Sequence, residues 1–347
     1  MDGIVPLHVY RGRSVLITGG MGFIGSNLAR RLVQMGDVDV HLLDALLPDQ
    51  GGNAYNVHDI VDRVTVHAVD LGCEWAVNHL VGGMDYIFNL AAAVSHVESM
   101  RDPHRDLALN CSAHLTLLNA CRSYNTNAKI VFTSTRQVYG RPLYLPLDEQ
   151  HRVAPPDVNG INKLAAEHYH LLYRRVYGTR AVCLRLTNTY GPRQHVRDDR
   201  HGFLGWFIRQ ALRGGELELF GEGRQRRDVN YVDDVVDALL MAGGSEAVDG
   251  EIFNLGGDPV TVAELAQSLI SIAERGSLRL VPFPDERQRI DIGNSYCSYD
   301  KFNAAVGWRP RTPLQEGLAR TVEFYRKHGA HYWKADADSV SRSDSAA

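Results

Sequence analysis

Three glycines after a short β-branched run constrain this chain more than any other feature. Gly19, Gly22 and Gly25 have the spacing G-x-x-G-x-x-G, and Phe23 and Ile24 lie between the last two. In such a strand–turn–helix unit the first glycine makes the turn, the second lets the backbone approach a pyrophosphate, and the third allows the helix to pack on the strand. The free N–H groups at the helix start favour phosphate. The pattern therefore predicts a dinucleotide-binding unit.

An acidic residue follows at the distance that this unit requires. Asp44 ends the next apolar run, which starts at Val38, and it lies 19 residues after Gly25. A carboxylate at this spacing binds the ribose diol of a dinucleotide. Because it repels a 2′-phosphate, it favours NAD over NADP. The alternative interpretation is an ordinary surface aspartate at a strand end.

The composition limits the class of protein. A chain of 347 residues can form one large or two modest domains, and a hydrophobic fraction of 44% is usual for a globular protein. The net charge of −4 favours neither nucleic acid nor an anionic membrane as a partner. The longest apolar tract, around Tyr86–Val94, is too short to span a bilayer, and residues 1–13 lack the apolar stretch of a signal peptide.

The cysteines and histidines indicate a reducing compartment and no metal. Five scattered cysteines without a C-x-x-C pair predict free thiols and a cytoplasmic protein. His168 and His170 would point to different faces of a helix, while His195 and His201 lie in a charged loop. No spacing is typical of a zinc site, so we expect no metal.

Apolar runs alternate with helical periodicity, which predicts an α/β fold with a Rossmann-type, doubly wound parallel sheet. Ligands of such sheets bind beyond the carboxyl ends of the strands. The predicted strands are Ser14–Thr18, Val38–Asp44, Val64–Asp70, Tyr86–Leu90, Lys129–Ser134 and Ala181–Leu186. The predicted helices are Ser26–Gln34, Arg105–Ser123 and Asn162–Tyr177.

The pattern changes after residue 192, which predicts a smaller α/β C-terminal substrate domain interleaved with the sheet. Phe203–Leu212 and Thr261–Glu274 are predicted helices, the second opened by a capping box of Thr261 and Glu264. Phe253–Gly257 is a predicted strand that returns to the sheet. We expect a dinucleotide-binding domain of residues 1–187 plus about 229–260, a substrate domain of 188–228 plus about 261–334, and a disordered tail at 335–347.

Several motifs occur in the order found in one enzyme family. They are the glycine pattern, Asn89-Leu90-Ala91-Ala92, the stretch TSTRQVYG from Thr133, Lys163, the stretch LRLTNTYGP from Leu184, and the stretch RDVNYVDD from Arg227. Together they resemble the extended short-chain dehydrogenase/reductases that modify nucleotide sugars, which include UDP-glucose 4-epimerases, dTDP-glucose 4,6-dehydratases and UDP-glucuronate decarboxylases. The resemblance runs from about Ser14 to about Tyr325.

The resemblance implies a shared chemistry and a shared assembly. Tightly held NAD+ takes a hydride from a sugar carbon, commonly C4, and gives a transient keto sugar. Epimerases return the hydride to the other face, whereas dehydratases and decarboxylases exploit the acidified C5 position first. Members are usually homodimers built on a four-helix bundle, here formed by the helices near Arg105–Ser123 and Asn162–Tyr177.

The resemblance also implies a complete cofactor site. Lys163 matches the lysine that binds the nicotinamide ribose, and Thr135 matches the residue that hydrogen-bonds the reacting hydroxyl. Asp70 and Leu71 match the pair beside the adenine. The remaining matching cofactor positions are Leu90, Ala91, Ala92, Asn110 and Thr133.

Two departures from the family pattern affect the chemistry. The family places a tyrosine four residues before the lysine, where this chain has Asn159. An amide cannot accept a proton at neutral pH as a phenolate can. The dehydratases have Asp-Glu where this chain has Arg136 and Gln137, so dehydration and decarboxylation lose support.

Four residues are candidates for the missing proton acceptor. His96 follows the strand that runs under the cofactor and titrates near neutrality, but a structural histidine is the alternative interpretation. Glu98 is weaker, because surface carboxylates near helix starts are common. Tyr139 is expected to pack structurally, and Lys163 is expected to hold the ribose.

Substrate contacts are expected from the second half of the chain. Asn188 and Arg227 match positions that meet phosphates or the nucleoside ribose, and either Arg287 or Arg289 supplies a second cation for the diphosphate. A further segment resembles the one that encloses the base, with core packing as the alternative. Its residues are Phe203, Leu204, Leu219 and Phe220.

The sequence thus predicts an NAD-dependent epimerase of a nucleotide-diphosphate sugar, most simply at C4. Two alternatives stay open. One is a dehydratase or lyase of the same family that works by another route. The other is a non-catalytic protein that binds NAD or a nucleotide sugar, which the loss of the tyrosine at Asn159 suggests.

Overall fold

The glycine-rich turn joins a buried strand to a helix, as predicted. The strand is Arg13–Thr18 and the helix is Phe23–Met35, with Gly22 at its N-cap. The computed structural model describes residues 5–48 and 50–333, without the side chains of residues 286 and 287. The predicted tail at 335–347 lies outside the described residues.

The described residues form twelve strands and twelve α-helices. The strands are β1 (Arg13–Thr18), β2 (Val38–Leu43), β3 (Thr65–His67), β4 (Tyr86–Asn89), β5 (Lys129–Thr135), β6 (Arg180–Leu186), β7 (Asn188–Tyr190), β8 (Glu216–Phe220), β9 (Arg226–Tyr231), β10 (Ile252–Leu255), β11 (Pro259–Thr261) and β12 (Ser277–Val281). The helices are α1 (Phe23–Met35), α2 (Glu74–Val81), α3 (His96–Arg101), α4 (Pro103–Leu107), α5 (Ala113–Tyr124), α6 (Val158–Tyr177), α7 (Phe203–Arg213), α8 (Val232–Gly243), α9 (Val262–Ala273), α10 (Asp285–Arg289), α11 (Asp300–Val306) and α12 (Leu314–His328).

Seven strands form one parallel sheet in the order β10-β6-β5-β4-β1-β2-β3. Side chains alternate between its two faces: Val15 and Ile17 of β1 belong to one apolar cluster, whereas Leu16 belongs to another. Helices cover both faces, because both faces are apolar. The predicted Rossmann-type α/β fold is confirmed. The strand predicted at Val64–Asp70 is shorter, at Thr65–His67.

The helix predicted over Arg105–Ser123 is not continuous. It is divided into α4, a π-helical turn at Ala108–Ser112, and α5. The wider turn carries Asn110, whose side chain is fully buried. Such turns often occur where a helix must direct a side chain inward. Helical periodicity alone cannot reveal this local change.

Two small sheets form the C-terminal part. One has the order β11-β9-β7, and the other pairs β12 with β8 in parallel. The predicted capping box opens α9, since Thr261 and Glu264 bond each other's backbone and side chain. The division between residues 228 and 229 stays a prediction, and β9 runs across it. Within residues 5–48 and 50–333, no helix combines the length and apolar character needed to cross a membrane.

Candidate active site

A cavity of about 920 Å³ lies at the carboxyl ends of β1, β2, β4 and β5 and extends to α7 and β8. This is the edge at which parallel sheets bind ligands. Most residues that the sequence predicted as functional line it. They are Gly19, Gly22, Phe23, Ile24, Gly25, Asp44, Asp70, Leu71, Leu90, Ala91, Ala92, His96, Thr133, Thr135, Asn159, Lys163, Asn188, Phe203, Leu204, Phe220 and Arg227.

The glycine turn makes a cradle with no room for side chains. Gly19 has φ +68°, and a Cβ there would lie 3.0 Å from Cα of Ala91. A Cβ on Gly25 would lie 2.9 Å from Cα of Gly20. The cradle therefore leaves the N–H groups at the start of α1 accessible, and the helix cannot satisfy these groups itself. Its shape and donors fit a pyrophosphate.

Asp44 is fixed at the end of β2 by the loops around it. Its Oδ2 accepts a hydrogen bond of 3.0 Å from the N–H of Met21, and its Oδ1 accepts one of 2.9 Å from Leu46. Burial raises the pKa of Asp44, while these two bonds oppose the shift. Each oxygen keeps a lone pair for a ribose hydroxyl. The residue thus fits the role that its spacing predicts.

Asn110 lies behind the cavity wall and does not line it. Its amide accepts from the N–H of Ala93 at 3.1 Å and donates to the carbonyl of Ala93 at 3.0 Å and to Asp106 at 2.9 Å. These bonds use both amide hydrogens and one of the two lone pairs of the amide oxygen. The direct cofactor contact expected for Asn110 is therefore not supported, because the residue instead positions the chain after β4.

Lys163 projects from α6 to the end of β5. Its Nζ donates to the carbonyl of Thr133 at 2.8 Å and lies 4.6 Å from the centre of the Phe132 ring. Burial lowers the pKa of Lys163 to about 8, although the nearby Asp106 and Glu167 carboxylates act in the opposite direction. Burial therefore brings the pKa of this ammonium close to neutral pH, at the end of β5 that borders the cavity.

Asn159 lies one helical turn before Lys163, and its side chain is held by hydrogen bonds within the protein. Its amide N–H groups donate to the carbonyl of Ala93 at 2.8 Å and to Asp106 at 3.1 Å. Asp106 is buried and also accepts from Asn162 at 2.8 Å. The carboxylate of Asp106 is thus surrounded by asparagine amides, and its charge faces the Lys163 ammonium.

His96 lines the cavity beside a buried carboxylate. Its Nδ1 lies 3.0 Å from Oδ2 of Asp157, whose side chain is fully buried, while the His96 side chain is 37% exposed. Asp157 also accepts from the N–H of Gly160 at 2.7 Å and from Gln137 at 2.9 Å. Burial would raise the pKa of Asp157, but His96 and these hydrogen bonds lower it. The two groups are close enough for an ion pair, but the geometry at Nδ1 of His96 is not that of a hydrogen bond.

The other candidate proton acceptors are less well placed. Glu98 lines the cavity but pairs with Arg101 at 3.0 Å. Tyr139 is fully buried, donates to Asn254 at 2.8 Å and does not line the cavity; burial raises its pKa strongly. Thr135 lines the cavity, and its Oγ1 accepts from the N–H of Gln137 at 3.1 Å. Its hydroxyl proton is left to donate.

Residues of the two small sheets line the opposite half of the cavity. Asn188 donates to the carbonyl of Asp228 at 3.0 Å, and Arg227 lies 3.4 Å from Asp291. The ring of Phe220 lies 5.2 Å from that of Phe283, which also lines the cavity. The sequence analysis missed Phe283, which lies in a loop between two prolines. The two rings form an apolar wall suited to a flat base.

Two expected substrate contacts are corrected, and one lies outside the described residues. Leu219 is buried in the core because alternate residues of β8 face opposite sides, so Phe220 faces the cavity and Leu219 does not. Arg289 is exposed on α10 and does not line the cavity. The side chain of Arg287 lies outside the described residues.

A cluster of His195, Asp198 and His201 borders the cavity. One ligand atom from each lies within 4.8 Å of the others, so the group has the size of a metal site. Burial lowers the pKa of His195 to about 4, which keeps its imidazole neutral. The guanidinium of Arg200 binds Asp198 at 2.7 Å and neutralises its carboxylate. The sequence analysis did not foresee this grouping, because loop geometry brings the three together.

The fold and cavity define a dinucleotide-binding Rossmann protein whose cavity extends into a second half lined by both polar and aromatic side chains. A family model described as the NAD dependent epimerase/dehydratase family matches residues 15–256, and the chain belongs to this family. The cofactor is NAD, in agreement with the glycine cradle and with Asp44.

Known relatives resemble the chain over almost its full length. A UDP-glucose 4-epimerase of Mycolicibacterium smegmatis is 34% identical over 321 residues, which cover 90% of this chain and 98% of the relative. The structure of a Thermotoga maritima UDP-glucose 4-epimerase with UDP-glucose superposes with a TM-score of 0.81 at 32% identity, over 90% of this chain and 99% of that one. A Thermus thermophilus UDP-glucose 4-epimerase solved with NAD gives a TM-score of 0.80 at 31% identity, over 90% and 99% of the two chains.

Proposed function

We propose that this protein is an NAD-dependent epimerase of a nucleotide-diphosphate sugar that acts through a transient keto sugar, most simply at C4. One observation carries the proposal: Thr135, Lys163 and His96 line the same cavity as the glycine cradle. When bound, NAD supplies a reversible hydride acceptor there. The positions after Thr135 hold Arg136 and Gln137, which cannot act as the acid and base of a dehydration.

The chain's own residues divide the remaining tasks. Thr135 donates a hydrogen bond to the reacting hydroxyl and so orients the sugar. His96 accepts the hydroxyl proton at Nε2, and Asp157 stabilises the imidazolium that forms. Lys163 holds the nicotinamide ribose, and Asp44 holds the adenosine ribose. Phe220 and Phe283 enclose the base, while Arg227 and Asn188 bind the diphosphate.

Asn159 replaces the catalytic tyrosine of the family in this proposal. Its amide already donates to Ala93 and Asp106, which supports a structural role. The proton transfer has therefore moved from α6 to the start of α3, where His96 and the buried Asp157 meet. Glu98 and Lys163 remain weaker alternatives as the base.

The test is proton NMR of the NAD-loaded protein with UDP-, dTDP-, GDP-, CDP- and ADP-sugars. We expect new anomeric signals at unchanged mass. A product lighter by one water would instead identify a dehydratase. Spectra that do not change, from protein that holds NAD and binds a nucleotide sugar, would identify the non-catalytic alternative. His96→Ala is the matched control: it leaves the glycine cradle intact, so this variant should still hold NAD but should not produce the new signals.

We also infer a homodimer built on α5 and α6, in the cytoplasm. Apolar side chains on the outer face of α6 support the dimer: Ile161, Leu172 and Val176 are 53%, 38% and 56% exposed. All five cysteines lie within the described residues and are free, which supports a reducing compartment. Sedimentation of Leu172→Glu/Val176→Glu should give a monomer where the wild type gives a dimer; a monomeric wild type would refute the inference.

A further inference from the structure

Arg136 is a cation of the cavity that is not held in an ion pair with a described carboxylate. It follows Thr135 at the end of β5, lines the cavity and is half-buried. Its guanidinium makes two long hydrogen bonds of 3.4 Å, to Oγ of Ser295 and to Oδ1 of Asn188. Among the side chains that the structure describes, which do not include Glu286, no aspartate or glutamate forms an ion pair with it. Asp228 is the nearby acid that feels its charge: burial raises the pKa of Asp228 to about 6, and the Arg136 guanidinium acts in the opposite direction, but the two groups do not form an ion pair.

The other cationic side chains of the cavity have defined partners. Arg101 pairs with Glu98, Arg200 pairs with Asp198, and Arg227 lies 3.4 Å from Asp291. Lys163 donates to a backbone carbonyl at 2.8 Å. Among these arginines, Arg136 is therefore the one whose described hydrogen-bond partners are all neutral, so its guanidinium can bind an anion bidentately.

The position of Arg136 indicates which part of the ligand it meets. Adjacent Cα atoms are about 3.8 Å apart, so the backbone of Arg136 lies beside Thr135, which the proposed function places at the reacting hydroxyl. Its guanidinium extends to Asn188, which the same proposal places at the diphosphate. The next residue, Gln137, is a neutral amide that donates a hydrogen bond of 2.9 Å to the carboxylate of Asp157. The guanidinium thus lies between the proposed positions of the reacting hydroxyl and of the diphosphate, where a negative substituent on the sugar ring would be attracted.

We propose that the site selects nucleotide-diphosphate sugars whose ring carries a carboxylate next to the reacting carbon, and that Arg136 binds this carboxylate bidentately. This inference rests on the proposed function, because it assumes that the sugar lies against Thr135. A neutral hexose would leave the half-buried guanidinium without its anion. Hydrogen bonds to charged groups of this kind change affinity by about 10- to 100-fold.

The test is calorimetric binding of UDP, UDP-glucose and UDP-glucuronate to the NAD-loaded protein. We expect the wild type to bind UDP-glucuronate at least about tenfold more tightly than UDP-glucose. Arg136→Gln should remove this preference by weakening UDP-glucuronate alone, and Arg136→Lys should restore part of it. Arg227→Gln is the matched control and should weaken all three ligands alike. NAD content and thermal unfolding verify that each variant folds.

Each other outcome decides against the proposal in a distinct way. If Arg136→Gln weakens UDP and both sugars equally, Arg136 binds the diphosphate and the carboxylate assignment is wrong. If the wild type prefers UDP-glucose, or binds none of the three ligands, the inference is also overturned. Epimerisation is followed separately by NMR. A uronate preference without turnover would refute the epimerase alone, and turnover of neutral sugars without that preference would refute the inference alone.

Discussion

Nδ1 of His96 lies 3.0 Å from Oδ2 of Asp157, although the two residues are 61 positions apart in the chain. Asp157 is also the N-cap of α6, where its Oδ1 accepts from Gly160. The same carboxylate therefore caps the helix that carries Lys163 and lies within ion-pair distance of the histidine. This arrangement couples the geometry of both candidate catalytic groups.

Replacing His96 should remove turnover without removing the cofactor. We expect His96→Ala to lower kcat by about 10²–10⁴-fold, the usual contribution of a general base, with NAD content unchanged. Asp157→Asn should also lower kcat, because an amide cannot stabilise the imidazolium, yet asparagine still caps α6. Steady-state kinetics with the substrate found by NMR measures both, and exposed His104→Ala is the control. Undiminished turnover of His96→Ala would exclude this base.

Lys163 should make stability depend on pH in a defined window. Burial lowers its pKa to about 8 from an ordinary value of 10.5. Both states bind the proton below pH 8, whereas between pH 8 and 10.5 only the unfolded chain holds it, so the free energy of unfolding rises with pH there. Relative to Lys163→Met, the wild type should gain about 3 kcal/mol across this window. Urea unfolding of both proteins measures the difference, and a difference that does not change with pH would contradict the burial of the charge.

Filling the glycine cradle should abolish NAD binding. A Cβ on residue 25 meets backbone atoms of Gly19 and Gly20, which cannot rotate away. We expect Gly25→Ala to lose NAD and to lose about 1–3 kcal/mol of stability through overpacking. Gly83→Ala is the matched control, since no atom lies within 4 Å of a Cβ built there. Fluorescence titration with NADH and urea unfolding measure the two effects; unchanged NADH affinity would show that the cradle does not hold the pyrophosphate.

A buried ion pair should support the sheet beneath the site. Arg185 of β6 binds Glu167 of α6 through two hydrogen bonds of 2.9 and 2.7 Å, and both side chains are almost fully buried. Glu167→Gln leaves a buried guanidinium without its counter-charge, so we expect a loss of about 3–5 kcal/mol. Glu251→Gln breaks an exposed pair with Lys301 and should cost less than about 1 kcal/mol. Equal losses in urea unfolding would show that burial does not control the strength of the pair.

The sequence by itself determined the parts of the site that are local in the chain. Gly19, Gly22 and Gly25 act within one turn, and Asp44 follows at the end of the next strand. Leu90 and Thr135 reach the same cavity because the carboxyl ends of parallel strands meet at one edge of a sheet. Local spacing and the rules of parallel sheets are enough to place these residues.

The tertiary structure alone decided what depends on contacts between distant segments. It placed Asp157 against His96, brought Phe283 to Phe220, and turned Leu219 into the core because of the strand's alternation. It also placed Asn110 in hydrogen bonds with the backbone of Ala93, through a π-helical turn that the apolar periodicity of the helix does not predict. These outcomes depend on how loops and helices pack against the sheet. The energy of such contacts comes from several distant segments together, so no single segment of the sequence predicts it.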